Sequence, residues 1–360
     1  MIHVFVGTKA QLIKMAPIMR ELEERNIQYN FVFSGQHQET IDQLRNNFSI
    51  KAPDVVLHSG SDVTSITQML RWGIKIFFRS LFSRSSIWAG DKNGIVLNHG
   101  DTFSTLLGSL LAKALGFKNA HIESGLRSFN LLHPFPEELT RVIVFRLSDY
   151  YFVPDATALA NLSKHKGVKI NTEANTLYDT LRLFLKNESH KLITNSFTKF
   201  GLVSLHRYEN IFNEEQFETI IQLLEKVARK IPLVFILHKP TKKKLLAFGF
   251  YERLKQNPNI ELHPRYDYFD FITLVQKSEF LITDGGSNQE ECYYLGHPCL
   301  LFRKATERQE GLGENVVLSE FKLETIEKFI HDYKSFSRSP LELPVSPSKR
   351  IVDELMRMRG

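Results

Sequence analysis

Short apolar runs alternate with helix-period segments along almost the whole chain, and most runs end in a glycine or a polar, often charged, loop. The first run covers residues 2–6 and breaks at Gly7-Thr-Lys9. A segment with Ile13, Met15, Ile18 and Leu22 on one helical face follows it. Further strand-like runs occupy residues 30–33, 94–98, 119–122 and 150–153, with helical patterns over 102–115 and 139–147. A second series runs 202–205, 233–237, 260–262, 280–283 and 299–302, separated by helical patterns at 214–230, 242–254, 269–278 and 289–295. A strand followed by a helix and another strand returns the chain to the same edge, so this alternation predicts parallel sheets covered by helices.

At 360 residues the chain exceeds the size of one ordinary core, which predicts two domains. The alternation changes near residues 171–187, and a polar stretch at 186–199 precedes the second series. The expected architecture is therefore α/β, with two Rossmann-like domains facing across a cleft. The first spans residues 1–170, the second 171–345, and a C-terminal helix covers 346–360; the cleft is the expected site.

The net charge of +6 is scattered rather than clustered, which favours an anionic small molecule over nucleic acid. Two cysteines, Cys292 and Cys299, lack metal or redox spacing and suit a reducing cytoplasm. The opening residues lack the pattern of a signal peptide, and no segment reaches the ~20 apolar residues of a membrane span. A soluble cytoplasmic protein is expected. Residues 74–84 interleave aromatics with lysine and arginine; such a segment lies weakly on a membrane surface, or packs on its own domain or across a dimer.

Chemistry concentrates at strand ends. Asp101 in His99-Gly-Asp-Thr102 and Glu123 in His121-Ile-Glu-Ser-Gly-Leu-Arg127 each sit where a strand enters a loop, on one predicted rim. Glu137 and Glu138 follow a Pro-Phe-Pro brace, with Arg127 and Arg141 close in sequence. One such aspartate alone serves as a helix cap or turn residue. Several carboxyls on one rim form an acid/base set. Lys9 and Lys14, at the start of the first helix, are candidate anion contacts, and Gln36 and His37 leave the second strand. In the second half, Asp284-Gly-Gly-Ser-Asn-Gln-Glu-Glu291 joins a strand to a helix. Gly285, Gly286 and Ser287 would let backbone N–H groups approach a phosphate, while Glu291 can accept both hydroxyls of a ribose. His206 and His238 stand at adjacent strand exits, where they can hold a diphosphate, and Phe271 either flanks a base or packs in the core.

These pieces, in order, resemble the non-hydrolysing UDP-N-acetylglucosamine 2-epimerases, whose two-domain architecture, called GT-B, is shared with many sugar transferases. The resemblance rests on Gly7-Thr-Lys with Ile13-Lys-Met-Ala-Pro17, Gln36-His37, His99-Gly-Asp-Thr102, His121-Ile-Glu-Ser-Gly-Leu-Arg127 and Pro136-Glu-Glu138. It continues through Asn175-Thr with Asp179, His206-Arg with Glu209, Gln289-Glu-Glu291, Thr306-Glu-Arg308 and Arg350-Ile-Val352. It implies that the sugar loses its C2 proton and UDP by elimination, giving a 2-acetamidoglucal beside UDP, and that re-addition inverts C2. Asp101, Glu123 and Glu137 match the family's acid/base carboxylates, and His206 matches a histidine near the diphosphate. Lys14 and Arg141 match other substrate-contacting residues, and Arg308 falls in a further matched motif. Glu291 falls on the ribose glutamate, Phe271 on an aromatic near uracil, and Gly285, Gly286 and Ser287 on the phosphate loop. No cofactor or metal is implied; a homodimer and supply of capsule or other surface-polysaccharide precursors are.

Several positions depart from the family pattern. Lys9 replaces an arginine, Asp284-Gly-Gly-Ser287 replaces Asp-Ser-Gly-Gly, Tyr208 replaces a basic residue, and Glu39 stands for a glutamine associated with an activating second UDP-sugar. A modified substrate such as a 2,3-diacetamido UDP-sugar is consistent with these changes. The other readings are a hydrolysing 2-epimerase, a membrane-associated GT-B glycosyltransferase, and an inactive nucleotide-sugar-binding protein.

Overall fold

The computed structural model describes residues 1–37, 41–60, 62–63, 66–131, 136–186 and 195–358. Glu39, the Pro134-Phe135 part of the brace, and residues 187–194 of the polar stretch lie outside them. The chain forms two compact units: Met1–Leu183 with Pro344–Gly360, and Phe184–Leu343.

The first unit is built on seven parallel strands: β1 (Ile2–Val6), β2 (Tyr29–Phe33), β3 (Val55–Val56), β4 (Ile95–His99), β5 (Lys118–Ile122), β6 (Tyr150–Val153) and β7 (Val168–Asn171). Their order is β3-β2-β1-β4-β5-β6-β7. Every residue of β1, β2 and β4 is buried, as expected where helices cover both faces of a parallel sheet. Progress along the sheet reverses between β1 and β4, and at such a reversal the loops beyond the strand ends diverge to leave a ligand site.

The second unit has six parallel strands: β8 (Gly201–Leu205), β9 (Leu233–Leu237), β10 (Ile260–Pro264), β11 (Phe280–Thr283), β12 (Cys299–Leu301) and β13 (Val316–Leu318). They run in the order β10-β9-β8-β11-β12-β13. Here the reversal falls between β8 and β11. Its core joins Val203, Leu205, Phe235, Ile282 and Leu300 from the strands to Phe217, Ile220, Leu224 and Phe329 from the helices.

The structure moves several expected boundaries. Strand β7 and the helix Leu177–Leu185 extend the first unit past residue 170, and the division falls at Leu183 and Phe184. The C-terminal helix Pro347–Arg357 is no separate element but rejoins the first unit: Ser348 N donates to Asp179 (2.7 Å), and Arg350 donates to Asn171 O (2.9 Å). The helix expected at 242–254 is two, Lys239–Ala247 and Phe250–Lys255, because Gly249 adopts a left-handed φ of 74° between them.

The helix Ile66–Phe82 buries Trp72 and Ile76 against its own unit and leaves Leu70, Ile74, Phe78 and Phe82 exposed along the opposite side. Among the described residues no helix is long and apolar enough to cross a membrane.

At the first βα turn, Gly7 is required by space. A Cβ there would lie 1.9 Å from Ser104 Oγ, 2.2 Å from Ser34 Oγ and 2.6 Å from Ser104 Cβ. Rotating the serine hydroxyls would not clear the last contact. Gly7→Ala is expected to cost at least the ~1–3 kcal/mol of an overpacked core, read as a lower urea midpoint. An unchanged midpoint would contradict this packing.

Candidate active site

Thr8 and Gln11 form a capping box on the helix Lys9–Glu24. Gln11 Oε1 accepts from Gly7 N (2.9 Å), and its Nε2 donates to His99 O (2.9 Å), tying the exit of β1 to that of β4. The sequence offers Gln36 as a reader of a polar ligand, but its carbonyl oxygen faces the chain itself. That oxygen accepts from Ser104 N (3.1 Å) and Ser104 Oγ (2.7 Å), bracing the start of the helix Phe103–Leu115.

Asp101 lies just beyond β4, but the cap of the following helix is Thr102, whose hydroxyl accepts from Thr105 N (3.2 Å). The aspartate carboxylate instead faces Arg141, with Nε at 2.9 Å and Nη2 at 2.6 Å from Oδ2. Glu123, one residue past β5, has φ 59°, a left-handed conformation that is uncommon outside glycine. Strain of that kind is kept where the surroundings hold a side chain in a particular place. Glu123 Oε1 accepts from Lys14 Nζ (2.6 Å) and Asn175 Nδ2 (2.5 Å), and His99 Nδ1 lies 3.6 Å from Oε2. Lys14, expected as an anion contact, thus meets a carboxylate of its own chain.

Glu137 and Glu138 open the helix Glu137–Leu147, where the N-terminal dipole favours negative charge. Glu138 is fully buried and joins two arginines: one oxygen accepts from Arg127 Nε, the other from Ser128 N (3.0 Å) and Arg141 Nη1 (3.4 Å). Burial alone would raise its pKa, but the Ser128 amide and the two arginines outweigh it and hold the carboxyl below its usual range. A connected line, Arg127 to Glu138 to Arg141 to Asp101, therefore fixes Asp101 from behind.

His121 links the two strand exits. Its Nε2 lies 2.7 Å from Gly100 O, which only accepts, so this nitrogen carries the proton; Nδ1 then accepts from Ser124 Oγ at 2.9 Å. Burial lowers its pKa from 6.5 to about 4, keeping the ring neutral. Burial likewise brings His3 to about 4. Both histidines bind a proton more readily when unfolded, so stability is complete above pH 6.5 and is lost as the pH falls towards 4. Each contributes up to ~1.4 kcal/mol per pH unit across that window. Urea midpoints at pH 7 and pH 5 should differ accordingly; equal midpoints would contradict the assignment.

The second unit presents another rim at its own strand reversal. Asp284, just after β11 and fully buried, accepts from His206 N (3.0 Å), Arg207 N (3.0 Å) and Asn210 Nδ2 (3.0 Å), fixing the loop that leaves β8. His206 stacks on His238 with ring centroids 4.5 Å apart, and His238 Nε2 lies 3.1 Å from Ser204 Oγ. Burial first, then repulsion from His206 and Arg265, lowers His238 to about 3; burial lowers His206 too. His238 is thus a neutral donor at ordinary pH, while the His206 side chain is 39% exposed, with its Nδ1 3.4 Å from Asp284 Oδ1. Gly285 caps the helix Gly286–Leu295, so Gly286 and Ser287 lie in its first turn, with Ser287 exposed. This helix begins three residues earlier than the sequence pattern indicates.

Glu291 is buried rather than facing solvent and accepts from Asn288 Nδ2 at 2.8 Å. Phe271, on the helix Tyr268–Lys277, is half-buried. Arg308 is buried beside the glycine loop and meets Glu290 (3.0 Å) and Glu310 (3.3 Å). The structure therefore gathers Asp101, Glu123, Lys14 and Arg141 on one unit, and His206, His238, the glycine loop, Glu291 and Arg308 on the other. Lys9 begins the first helix and is half-buried.

The family model for UDP-N-acetylglucosamine 2-epimerase matches residues 20–343. A UDP-N-acetylglucosamine 2-epimerase of Methanocaldococcus jannaschii is 31% identical over 337 residues, covering 89% of this chain and 89% of that protein. A UDP-2,3-diacetamido-2,3-dideoxy-D-glucuronate 2-epimerase of Pseudomonas aeruginosa is 30% identical, covering 88% of each. The crystal structure of the Methanocaldococcus jannaschii enzyme in complex with UDP-GlcNAc and UDP is similar with a TM-score of 0.83 and 28% identity, over 99% of both chains. The Neisseria meningitidis UDP-GlcNAc 2-epimerase bound to UDP-GlcNAc gives 0.83 and 27%, again over 99% of both. The two parallel sheets are those of the GT-B fold, and the chain belongs to the UDP-N-acetylglucosamine 2-epimerase family.

Proposed function

We propose that the chain is a non-hydrolysing epimerase that interconverts UDP-N-acetylglucosamine, or a modified UDP-2-acetamido sugar, with its C2 epimer. The observation that carries this reading is the pair of ion-paired carboxylates, Asp101 with Arg141 and Glu123 with Lys14, at the neighbouring exits of β4 and β5. Inverting C2 requires a proton to leave one face of the sugar and another to arrive on the opposite face. Two carboxyl groups serve those two steps, and the third acts at the departing oxygen. Asp101, Glu123 and Glu137 fill these roles. A carboxylate takes the C2 proton, the electron pair forms the C1–C2 double bond, and the bond from C1 to the UDP oxygen breaks. UDP leaves as an anion beside a 2-acetamidoglucal; its oxygen then re-adds to C1 as C2 is protonated from the other side. No external oxidant or reductant enters this balance.

In this reading the second unit holds UDP: the turn at Gly285 aims the helix N–H groups of Gly286 and Ser287 at the diphosphate, His206 and His238 donate to it, Arg308 adds positive charge, Glu291 takes the ribose, and Phe271 flanks uracil, while Lys9 of the first unit is a further candidate anion contact. Incubation with UDP-N-acetylglucosamine, followed by 31P and 1H NMR, tests it. The expected product is a second UDP-sugar in equilibrium with the first. Free sugar and UDP would instead establish the hydrolysing reaction. The 30% identity to the diacetamido-glucuronate enzyme, together with the rearranged phosphate loop, favours testing 2,3-diacetamido UDP-sugars in parallel.

The exposed stripe Leu70, Ile74, Phe78 and Phe82 supports a homodimer joined through this helix. Light scattering should give twice the chain mass for the wild type and the single mass for Leu70→Asp/Phe78→Asp. A monomeric wild type that sediments with anionic vesicles would assign the stripe to a membrane surface. The buried, unbridged Cys292 and Cys299 fit work in the cytoplasm.

A further inference from the structure

Thr283 ends β11 with its side chain buried; its hydroxyl accepts from Gly285 N (3.1 Å) and lies 3.0 Å from both Ser204 O and Asn288 Oδ1. The Asn288 amide spans the next gap, its Nδ2 donating to Glu291 Oε2 at 2.8 Å. A carboxylate accepts and does not donate, so Glu291 fixes which end of the amide faces it. Asn288 and Glu291 are three apart on one helix and share a face. Tyr268 approaches the same carboxylate: burial and the Glu291 charge hold its phenol proton well above the ordinary range. This line of contacts joins the glycine loop to the glutamate without any hydroxyl at position 285.

We infer that Asn288 is a positioning residue that sets the plane of the Glu291 carboxylate and thereby gives the chain its preference for ribonucleotides over 2′-deoxyribonucleotides. The inference rests on Glu291 as the ribose acceptor. A glutamate has three rotatable bonds, and a diol needs both carboxylate oxygens in place together. With Asn288 taking one lone pair of Oε2, lone pairs on both carboxylate oxygens remain for the two ribose hydroxyls. Loss of the 2′-hydroxyl leaves one buried anionic acceptor without its donor, a deficit of roughly tenfold or more in affinity. A carboxylate free to rotate adapts to a single hydroxyl and loses that discrimination.

Calorimetric titration of the full chain with UDP and with 2′-deoxy-UDP tests this, using wild type, Glu291→Gln, Asn288→Asp and Asn288→Leu. Asn288→Asp keeps the acceptor for Thr283 but replaces the N–H towards Glu291 with a carboxylate oxygen that repels it; Asn288→Leu removes both contacts without adding charge. The wild type should prefer UDP roughly tenfold or more, and all three variants should fall to about threefold or less. The Asn288 variants should also raise KM for the UDP-sugar while kcat stays within about twofold, a split that general misfolding would not produce. If Glu291→Gln loses the preference and both Asn288 variants keep it, the positioning role is wrong and the ribose assignment stands. If Glu291→Gln keeps it, or the wild type has none, the ribose assignment falls and takes the inference with it.

Discussion

Asp101→Asn is expected to lower kcat by roughly 10²–10⁴-fold, the range for losing a general acid or base, with the Kd for UDP within about twofold of wild type. The amide keeps the shape of the aspartate and its place beside Arg141, so the loss isolates proton transfer. The UDP-binding residues proposed above, Lys9 apart, all lie in the other unit, which is why nucleotide affinity should survive. Glu123→Gln should show the same fall in kcat with an added loss of stability, because it leaves the buried Lys14 ammonium without its carboxylate. Steady-state rates and calorimetry on the two variants check this. Wild-type rates in both would remove these residues from the mechanism.

Glu138→Gln should have the largest effect on stability. The carboxylate is fully buried between Arg127 and Arg141, and removing one partner of a buried ion pair costs roughly 3–5 kcal/mol because the other charge is left behind. Arg141 would also lose the support that aims it at Asp101, so kcat should fall through Arg141, although the Glu138 carboxylate is turned towards Arg127, Ser128 and Arg141. The pH dependence has a definite sign. The folded pKa of Glu138 lies below its ordinary 4.5, so its contribution is present above pH 4.5 and is lost as the pH falls through the folded value. The gap in urea midpoint between wild type and Glu138→Gln should therefore narrow below pH 4.5. A gap that is small at pH 7, or constant into acid, would contradict the buried line of charges.

Much of this was legible in the sequence because parallel strands announce themselves as apolar runs. Residues 150–153 and 280–283 are strands in both the pattern and the structure. The short edge strands β3 and β7 were not legible: at two and four residues, and partly exposed, they lack the apolar density of a buried run. The return of the C-terminal helix to the first unit is a tertiary fact, carried by contacts such as Ser348 to Asp179 across 169 residues of sequence, which local periodicity does not encode.

Strand-end positions make Asp101, Glu123 and His206 candidates, and the helix after β11 makes Glu291 one. What they could not give was pairing. Lys14, Arg141 and Arg308 were read from sequence as contacts for an anionic substrate, and the fold sets each against a carboxylate of the chain itself. Supporting residues such as His121, Glu138, Asn175 and Asp284 were visible within motifs, but their roles depend on which strand exits are neighbours. The order β1-β4-β5 makes His121 a link between two loops, and the adjacency of β8 and β11 makes Asp284 the anchor of the His206 loop.

In the proposed reaction, carboxyl groups of the first unit exchange the proton on C2 of a sugar that remains associated with UDP. The most direct measurement is incubation of the wild-type protein with UDP-N-acetylglucosamine in deuterium oxide, with the C2 position followed by 1H NMR. The C2 proton signal should fade as deuterium enters both epimers while the nucleotide sugar persists, and it should stay intact with Asp101→Asn. Epimerisation with full retention of the original proton, or exchange undiminished in that variant, would contradict the proposed reaction.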